Sequence, residues 1–220
     1  MLRRLTAILF PPKCILCRRL LTDKETDLCH TCRKDTPEFI HPKRNIPFVA
    51  QWSAIWYYNN AVRKSILRYK FYNARSYANP YGRMLAMKLQ EQIDTVDILT
   101  WVPISRLRRM RRGYDQVELL AHAVGRELGI SPVSTLKKIR NTPPQSTLSN
   151  ASQRRANVLG AYQAIDPEFL VGKRVLLLDD VITTGATVSE CARVLLTSGA
   201  KDVICAAVAA ASQDKKNNCR

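Results

Sequence analysis

The 220-residue sequence lacks several features that would assign it to common protein classes. No apolar run approaches the ~20 residues that a membrane-spanning helix needs. The sequence has no Gly-x-x-x-x-Gly-Lys-Ser/Thr loop, and this absence argues against kinases and ATPases of the P-loop type. The first ten residues are basic and then apolar, but the apolar stretch is too short for a signal peptide and lacks a small-residue cleavage site. We therefore predict a cytoplasmic protein whose N-terminus forms a short amphipathic helix.

Acidic residues are scarce in this chain. It has 18 Asp and Glu against 35 Lys and Arg, which gives a formal net charge of +17. Such an excess favours polyanionic partners, either phosphate-rich ligands or nucleic acid. A solvated basic surface is the plainer alternative, because net charge reports non-specific affinity rather than a role. The length fits one main domain with a small appendage.

The segment Val175–Thr187 carries the strongest chemical signal. Four apolar residues, typical of a buried parallel strand, lead into the adjacent carboxylates Asp179 and Asp180. Ligands of open α/β sheets lie beyond the carboxyl ends of strands, where such carboxylates can accept hydrogen bonds from a vicinal diol. A Thr/Gly loop follows and opens a helical pattern that Gly199 ends, and a helix N-terminus suits a phosphate. The alternative is a strand end followed by an ordinary helix cap at Thr184.

This segment resembles the phosphoribosyl pyrophosphate (PRPP) motif of type I phosphoribosyltransferases. The resemblance implies a parallel α/β sheet flanked by helices and a phosphorylated sugar as ligand. It implies that Asp179 and Asp180 are the catalytic pair that holds the ribose 2- and 3-hydroxyls. It assigns the 5-phosphate to the loop of Thr183, Thr184, Gly185, Ala186 and Thr187.

Four of the seven cysteines form two Cys-x-x-Cys pairs, Cys14 with Cys17 and Cys29 with Cys32. Two such pairs can place four thiolates around one zinc ion, and four thiolates close the coordination sphere of a structural site. A redox Cys-x-x-Cys pair is the alternative. Within the second pair, His30 is expected to be a bystander. Cys191 and Cys205 fall on apolar patterns and are predicted to lie in the core.

Five arginines occur within the seven residues Arg106–Arg112, in a predicted loop that joins a buried strand, Ile98–Pro103, to a helix. Guanidinium groups bind phosphate in a bidentate manner, so pyrophosphate is a suitable anion. Nucleic-acid backbone is the competing anion, and a solvated basic loop is the plain alternative. We assign pyrophosphate binding to Ser105, Arg106, Arg109, Arg111 and Arg112.

A long polar segment, residues 140–160, separates a helical region from a strand region. Loops of this length in compact domains often act as lids. The predicted lid residues are Arg140, Gln145, Arg154 and Asn157. The aromatic residues between Tyr57 and Tyr81 could stack on bases, but core packing is the favoured interpretation.

The four motifs together resemble the ComF family, which is associated with natural competence for DNA uptake. They are the four-cysteine finger, the arginine loop with Gly113-Tyr114-Asp115-Gln116, the Thr-x-x-Gln … Arg-x-x-Asn-Val segment and the PRPP motif. At residue 115 the family typically has Asn, and the Asp here adds a negative charge beside the arginines. The expected division is a finger and linker over 1–45, a phosphoribosyltransferase-like domain over 46–212 and a disordered tail over 213–220.

The resemblance implies a phosphoribosyl transfer from PRPP with Mg²⁺ to an unidentified acceptor, with structural Zn²⁺ in the finger. A protein of a different class is the alternative. It would bind single-stranded DNA and a competence helicase, and its PRPP site would be regulatory or vestigial.

Overall fold

A computed structural model describes residues 11–42, 44–90, 96–143 and 151–211. The expected N-terminal helix, Gln145, Cys219 and the expected tail lie outside these residues. The helices are α1 (His30–Asp35), α2 (Asn60–Phe71), α3 (Ala78–Gln90), α4 (Arg106–Arg112), α5 (Gln116–Leu128), α6 (Ala151–Val158), α7 (Pro167–Leu170) and α8 (Ala186–Thr197). The strands are β1 (Gln51–Tyr57), β2 (Ile98–Trp101), β3 (Leu136–Lys138), β4 (Tyr162–Ala164), β5 (Arg174–Ile182) and β6 (Asp202–Ala210). No helix of the described residues is long and apolar enough to cross a membrane.

A four-stranded parallel sheet with the order β1-β6-β5-β2 forms the centre of the molecule. The apolar run from Val175 to Leu178 is fully buried in β5, because side chains from both faces of the sheet are covered. One apolar cluster joins the sheet to α2, α3 and α5, and a second joins it to α8 and the β3–β4 pair. The predicted α/β class with a parallel sheet is confirmed.

The main strand and helix predictions for the sheet are confirmed, with two differences. β5 continues through both aspartates to Ile182, because β6 pairs with it as far as Ala210. Its other neighbour, β2, already ends at Trp101 opposite Leu178. The carboxylates therefore lie within a strand but beyond the end of its neighbour, at the carboxyl edge of the sheet. The arginine segment, predicted as a loop, contains α4, because Ser105 caps its start and Gly113 at φ 74° ends it.

Candidate functional site

The four cysteines of the two Cys-x-x-Cys pairs come together in one cluster. Their Sγ atoms all lie within 4.8 Å of one another, and Cys17 and Cys29 are 3.7 Å apart. Zinc–sulfur bonds of about 2.3 Å place tetrahedral ligands about 3.8 Å apart, so the cluster fits a structural Zn²⁺. His30 is exposed at the start of α1 and is not part of the cluster. Cys191 and Cys205 are buried in the core, as predicted.

The finger is joined to the body by hydrogen bonds to backbone carbonyls. Ser65 Oγ on α2 donates to the Ile15 carbonyl at 2.5 Å. Arg68, one turn further along α2, donates to the Ile15 and Leu16 carbonyls at 2.8 and 2.7 Å. Ile15 and Leu16 are buried in the same apolar cluster as α2 and α3. The finger is thus part of the core and contacts the helix that carries Lys70.

A cavity of about 1060 Å³ lies at the carboxyl edge of the sheet. It is lined by Asp179 and Asp180, by Thr183 and Thr187 of the Thr/Gly loop, and by basic side chains from several elements. The basic residues are Arg63, Lys70, Arg75, Arg108, Arg111, Arg112, Lys138 and Arg154. The cavity therefore combines two neighbouring carboxylates with a strongly cationic wall, an arrangement suited to a ligand with hydroxyls at one part and phosphates at another.

Asp180 is buried and held from two sides. Lys70 Nζ forms an ion pair with Asp180 Oδ1 at 2.8 Å, and Gln116 Nε2 donates to Asp180 Oδ2 at 2.8 Å. Arg112 Nη1 in turn donates to Gln116 Oε1 at 2.7 Å. One chain of contacts thus links the arginine segment to the ribose end of the expected site.

Asp179 is half-buried and has a different environment from its neighbour. Its Oδ1 accepts a hydrogen bond from the Asp180 backbone N–H at 2.8 Å. Burial, reinforced by the Asp180 carboxylate, raises the pKa of Asp179 to about 8, while Lys70 acts in the opposite direction. The pair is therefore divided into a carboxylate with its own cation and a carboxyl group whose ionisation depends on a ligand or on pH.

The five residues assigned to the 5-phosphate lie in the loop between β5 and α8 (Thr183, Thr184, Gly185) and in the first turn of α8 (Ala186, Thr187). Gly185 has φ 79° and precedes the first residue of α8, Ala186. Thr183, Gly185, Ala186 and Thr187 line a small pocket beside Asp179. Two residues from before β1 contact this loop. The Arg44 guanidinium donates to the Thr183 carbonyl, and a Cβ added to Gly185 would lie 3.0 Å from the Ile46 side chain.

The residues assigned to pyrophosphate do not all reach the cavity. Arg111 and Arg112 line it, whereas Arg109 forms an ion pair with Glu118 at 2.8 Å and Arg106 is exposed outside the described lining. Ser105 is buried and caps α4 through Arg108 N–H at 3.4 Å. Arg108, which was not assigned, lines the cavity and also donates to the Thr142 carbonyl at 2.8 Å.

Asp115 does not face the anion-binding side of the arginines. Its Oδ1 accepts from the Val117 and Glu118 backbone N–H groups at 2.9 and 3.3 Å, so it caps α5. Its Oδ2 accepts from Ile104 N–H at 3.2 Å. Asp and Asn are both good N-caps, which explains how an acidic residue is accommodated at this position.

The predicted lid contains α6, and its described residues divide into two groups. Arg154 lines the cavity. Arg140 donates to the Leu159 carbonyl at 2.8 Å, and Asn157 Nδ2 donates to the Pro143 carbonyl at 3.1 Å, so both hold the base of the segment together. Gln145 falls outside the described residues.

Several cavity residues were not assigned from the sequence. Lys70 belongs to a basic helix face with no local signal for its ion pair. Lys138 and Tyr162 lie on the short β3–β4 pair, where Lys138 Nζ is 5.1 Å from the Tyr162 ring centroid. Burial, with the nearby Arg108, lowers the pKa of Lys138 to about 8. Tyr114 and Gln116, which also line the cavity, belong to the Gly113–Gln116 motif and so had a signal in the sequence.

Two domain families match this chain. The phosphoribosyl transferase domain matches residues 118–218, and the double zinc ribbon domain matches residues 5–44. Competence protein F of Haemophilus influenzae is 29% identical over 215 residues, which cover 87% of this chain and 93% of that protein. Competence protein ComFC of Streptococcus pneumoniae is 31% identical over 150 residues, which cover 68% of this chain and 64% of that protein.

A solved structure of glutamine PRPP amidotransferase from B. subtilis resembles 63% of this chain and 30% of its own, at 23% identity and a TM-score of 0.44. The sequence relatives and the domain matches confirm the resemblance to the ComF family. The chain is a homologue of competence protein F that carries a phosphoribosyl transferase domain behind an N-terminal four-cysteine zinc ribbon.

Proposed function

We propose that the chain binds PRPP with Mg²⁺ and transfers its phosphoribosyl group to an acceptor. The observation that supports this most is the shared cavity, in which Asp179 and Asp180, the Thr183–Thr187 loop and the cations Arg108, Arg111 and Arg112 meet. Carboxylates accept hydrogen bonds from ribose hydroxyls, and the loop before α8 offers backbone N–H groups to a phosphate. Guanidinium groups suit the pyrophosphate.

In this proposal the chain acts by positioning and by stabilising charge. Asp179 and Asp180 accept hydrogen bonds from the ribose hydroxyls, and Lys70 and Gln116 fix the position of Asp180. The acceptor forms a bond to C1 as the C1–O bond to pyrophosphate breaks, and pyrophosphate departs with that electron pair. The arginines stabilise the departing anion, and Mg²⁺ that accompanies PRPP would neutralise further charge.

Isothermal titration of PRPP with Mg²⁺ into the zinc-loaded chain tests this proposal. We expect binding that is lost in the Asp179→Asn/Asp180→Asn double variant. The matched control is Asp166→Asn, because Asp166 caps α7 and asparagine can do the same. Absence of binding by the folded wild-type chain would refute the proposal. Retained affinity in the double variant would refute the assignment of the carboxylates.

A second candidate function is binding of single-stranded DNA in a competence apparatus, with a helicase as the partner and the cytoplasm as its location. The names of the relatives motivate the context. Phe71 lines the cationic cavity with its side chain 59% exposed, and Arg112 lies 4.7 Å from its ring centroid. An exposed ring among cations suits a stacked base and its phosphates.

Fluorescence anisotropy of a labelled oligonucleotide between 50 and 200 mM salt tests the second candidate. We expect affinity to fall steeply with salt, because phosphate contacts release counterions. Phe71→Ala should weaken binding at every salt concentration, whereas Arg63→Gln should also reduce the salt slope. Affinity that ignores salt, or that Phe71→Ala leaves unchanged, would exclude this mode of DNA binding.

A further inference from the structure

Two residues just before β1, Arg44 and Ile46, contact the Thr183–Gly185 loop. Arg44 donates through Nη2 to the Thr183 carbonyl, and buried Ile46 lies against Gly185. Both residues precede the segment that the phosphoribosyl transferase domain matches, residues 118–218. No sequence motif indicated a role for them, since Arg44 lies in the predicted linker and Ile46 is the first residue after it.

The position of Arg44 is held by the sheet rather than by the loop that it contacts. Trp52 Nε1 on β1 donates to the Arg44 carbonyl at 3.0 Å. The Trp52 ring is buried and lies 5.0 Å, centroid to centroid, from Phe39. The Arg44 backbone is therefore anchored to the core, and its guanidinium contacts the loop from a fixed position.

The geometry of a trans peptide converts this contact into an effect on the pocket. The described residues contain no cis peptide bond, so the Thr183 carbonyl and the Thr184 N–H point in opposite directions within one plane. By holding the Thr183 carbonyl, Arg44 therefore also fixes the direction of the Thr184 N–H, which points away from the guanidinium. The residues on either side of Thr184, Thr183 and Gly185, line the small pocket together with Ala186 and Thr187.

Ile46 acts on the next residue of the loop. Gly185 has φ 79°, and a Cβ there would lie 3.0 Å from Ile46 Cδ1 and Cγ1. The isoleucine therefore fills the space behind the left-handed turn and opposes its relaxation to another conformation. Arg44 also brings a positive charge to the loop. Within the described residues no carboxylate forms an ion pair with it, and burial lowers the pKa of its guanidinium. An arginine remains protonated in spite of such a shift.

We propose that the segment Arg44–Ile46 is a brace for the 5-phosphate site, in which Arg44 is a positioning residue that turns the Thr184 N–H toward the phosphate. This inference rests on the proposed function, because it concerns the same loop and the same ligand. It assigns part of the phosphate specificity to a segment outside the matched transferase domain. It also separates two kinds of ligand, since only a ligand with a 5-phosphate benefits from the brace.

Titration calorimetry with two probes, ribose 5-phosphate and Mg²⁺-pyrophosphate, tests the brace. In Arg44→Gln we expect the affinity for ribose 5-phosphate to fall roughly tenfold or more, as for loss of a charged hydrogen bond. Mg²⁺-pyrophosphate should bind within about twofold of wild type, because the arginines of α4 are untouched. Arg44→Lys, which can still donate to the carbonyl, should restore most of the affinity. The control is Arg126→Gln, which removes an arginine bonded to Asn79 on the helical side.

The outcomes distinguish the brace from the proposed function. Unchanged affinity for ribose 5-phosphate in Arg44→Gln, or an equal loss for both probes, overturns the brace and leaves the PRPP site standing. Failure of the wild-type chain to bind ribose 5-phosphate and PRPP overturns both. If Arg44→Gln does not fold, Ile46→Ala decides, with a selective loss for ribose 5-phosphate expected and no loss refuting the brace. The ¹⁵N–¹H resonance of Thr184 gives an independent readout, since it should shift on addition of ribose 5-phosphate in wild type and much less in Arg44→Gln.

Discussion

The raised pKa of Asp179 predicts how ligand affinity depends on pH. A carboxyl group with a pKa of about 8 stays protonated until the pH passes that value. Ribose hydroxyls donate best to the ionised form, so binding selects the fraction that is ionised. This fraction rises by about an order of magnitude between pH 6.5 and pH 8, and we expect the affinity to rise with it.

The rise due to Asp179 is the ascending limb of the pH profile of PRPP affinity, and Lys138 provides a descending limb. Its pKa of about 8 means that its positive charge is lost as the pH rises above that value. The cationic wall then attracts phosphates less strongly. We therefore expect PRPP affinity to pass through a maximum near pH 8 when it is measured by titration calorimetry from pH 6.5 to 9.5.

Two variants assign the limbs to their residues. Asp179→Asn should remove most of the ascending limb, and Lys138→Arg should remove the descending limb because arginine stays charged over this range. The phosphates of PRPP also titrate, with a pKa of about 6. The affinity of each variant is therefore compared with that of the wild type at the same pH. A wild-type profile that is flat from pH 6.5 to 8, or an ascending limb that persists unchanged in Asp179→Asn, would refute the reasoning.

Three further predictions concern stability and metal content. Lys70→Met should lower the free energy of unfolding in urea by about 2–3 kcal/mol, because it leaves buried Asp180 without its cation, whereas exposed Lys64→Met on the same helix should have little effect. Gly185→Ala should cost about 1–3 kcal/mol because of its positive φ and the contact with Ile46, and the coupling free energy in a double-mutant cycle with the destabilising Ile46→Ala should report only the part due to the contact. Metal analysis of anaerobically purified protein should find one zinc per chain, held by the described cysteine cluster, and removing it with a chelator should lower the thermal unfolding temperature. Absence of zinc would contradict the assignment of the four cysteines.

The sequence patterns predicted the elements that are long or carry a strong period. The apolar run of β5, the helical pattern of α8 and the cysteine pairs each depend on neighbours in sequence, so one chain suffices to recognise them. The extension of β5 through Asp179 and Asp180 was not predicted, because it results from pairing with β6 and not from local preference. The aromatic residues also divided: Tyr69 and Tyr81 are buried, as the core interpretation predicts, whereas Phe71 and Tyr72 are exposed.

The site was less predictable than the fold. Side chains such as Lys70 and Lys138 reach the cavity from distant parts of the chain, and nothing in their local sequence distinguishes them from other surface lysines. The arginine segment illustrates the same limit, since helix formation turns Arg109 toward Glu118 while Arg108 and Arg112 face the cavity. Composition indicated that this segment attracts anions, but the helix decides which guanidinium groups are available.

The strand order has a consequence for the way in which the chain is assembled. In the described sheet β1 pairs with β6, and Gln51 lies opposite Ile204, which is far along the chain. During synthesis, the apolar segment Trp52–Trp56 is made long before its partner strand exists. Such a delay slows folding and leaves a hydrophobic strand edge available for wrong pairing. The finger and α2 are both near the N-terminus and pack against each other, so they can form a local core before β6 is synthesised.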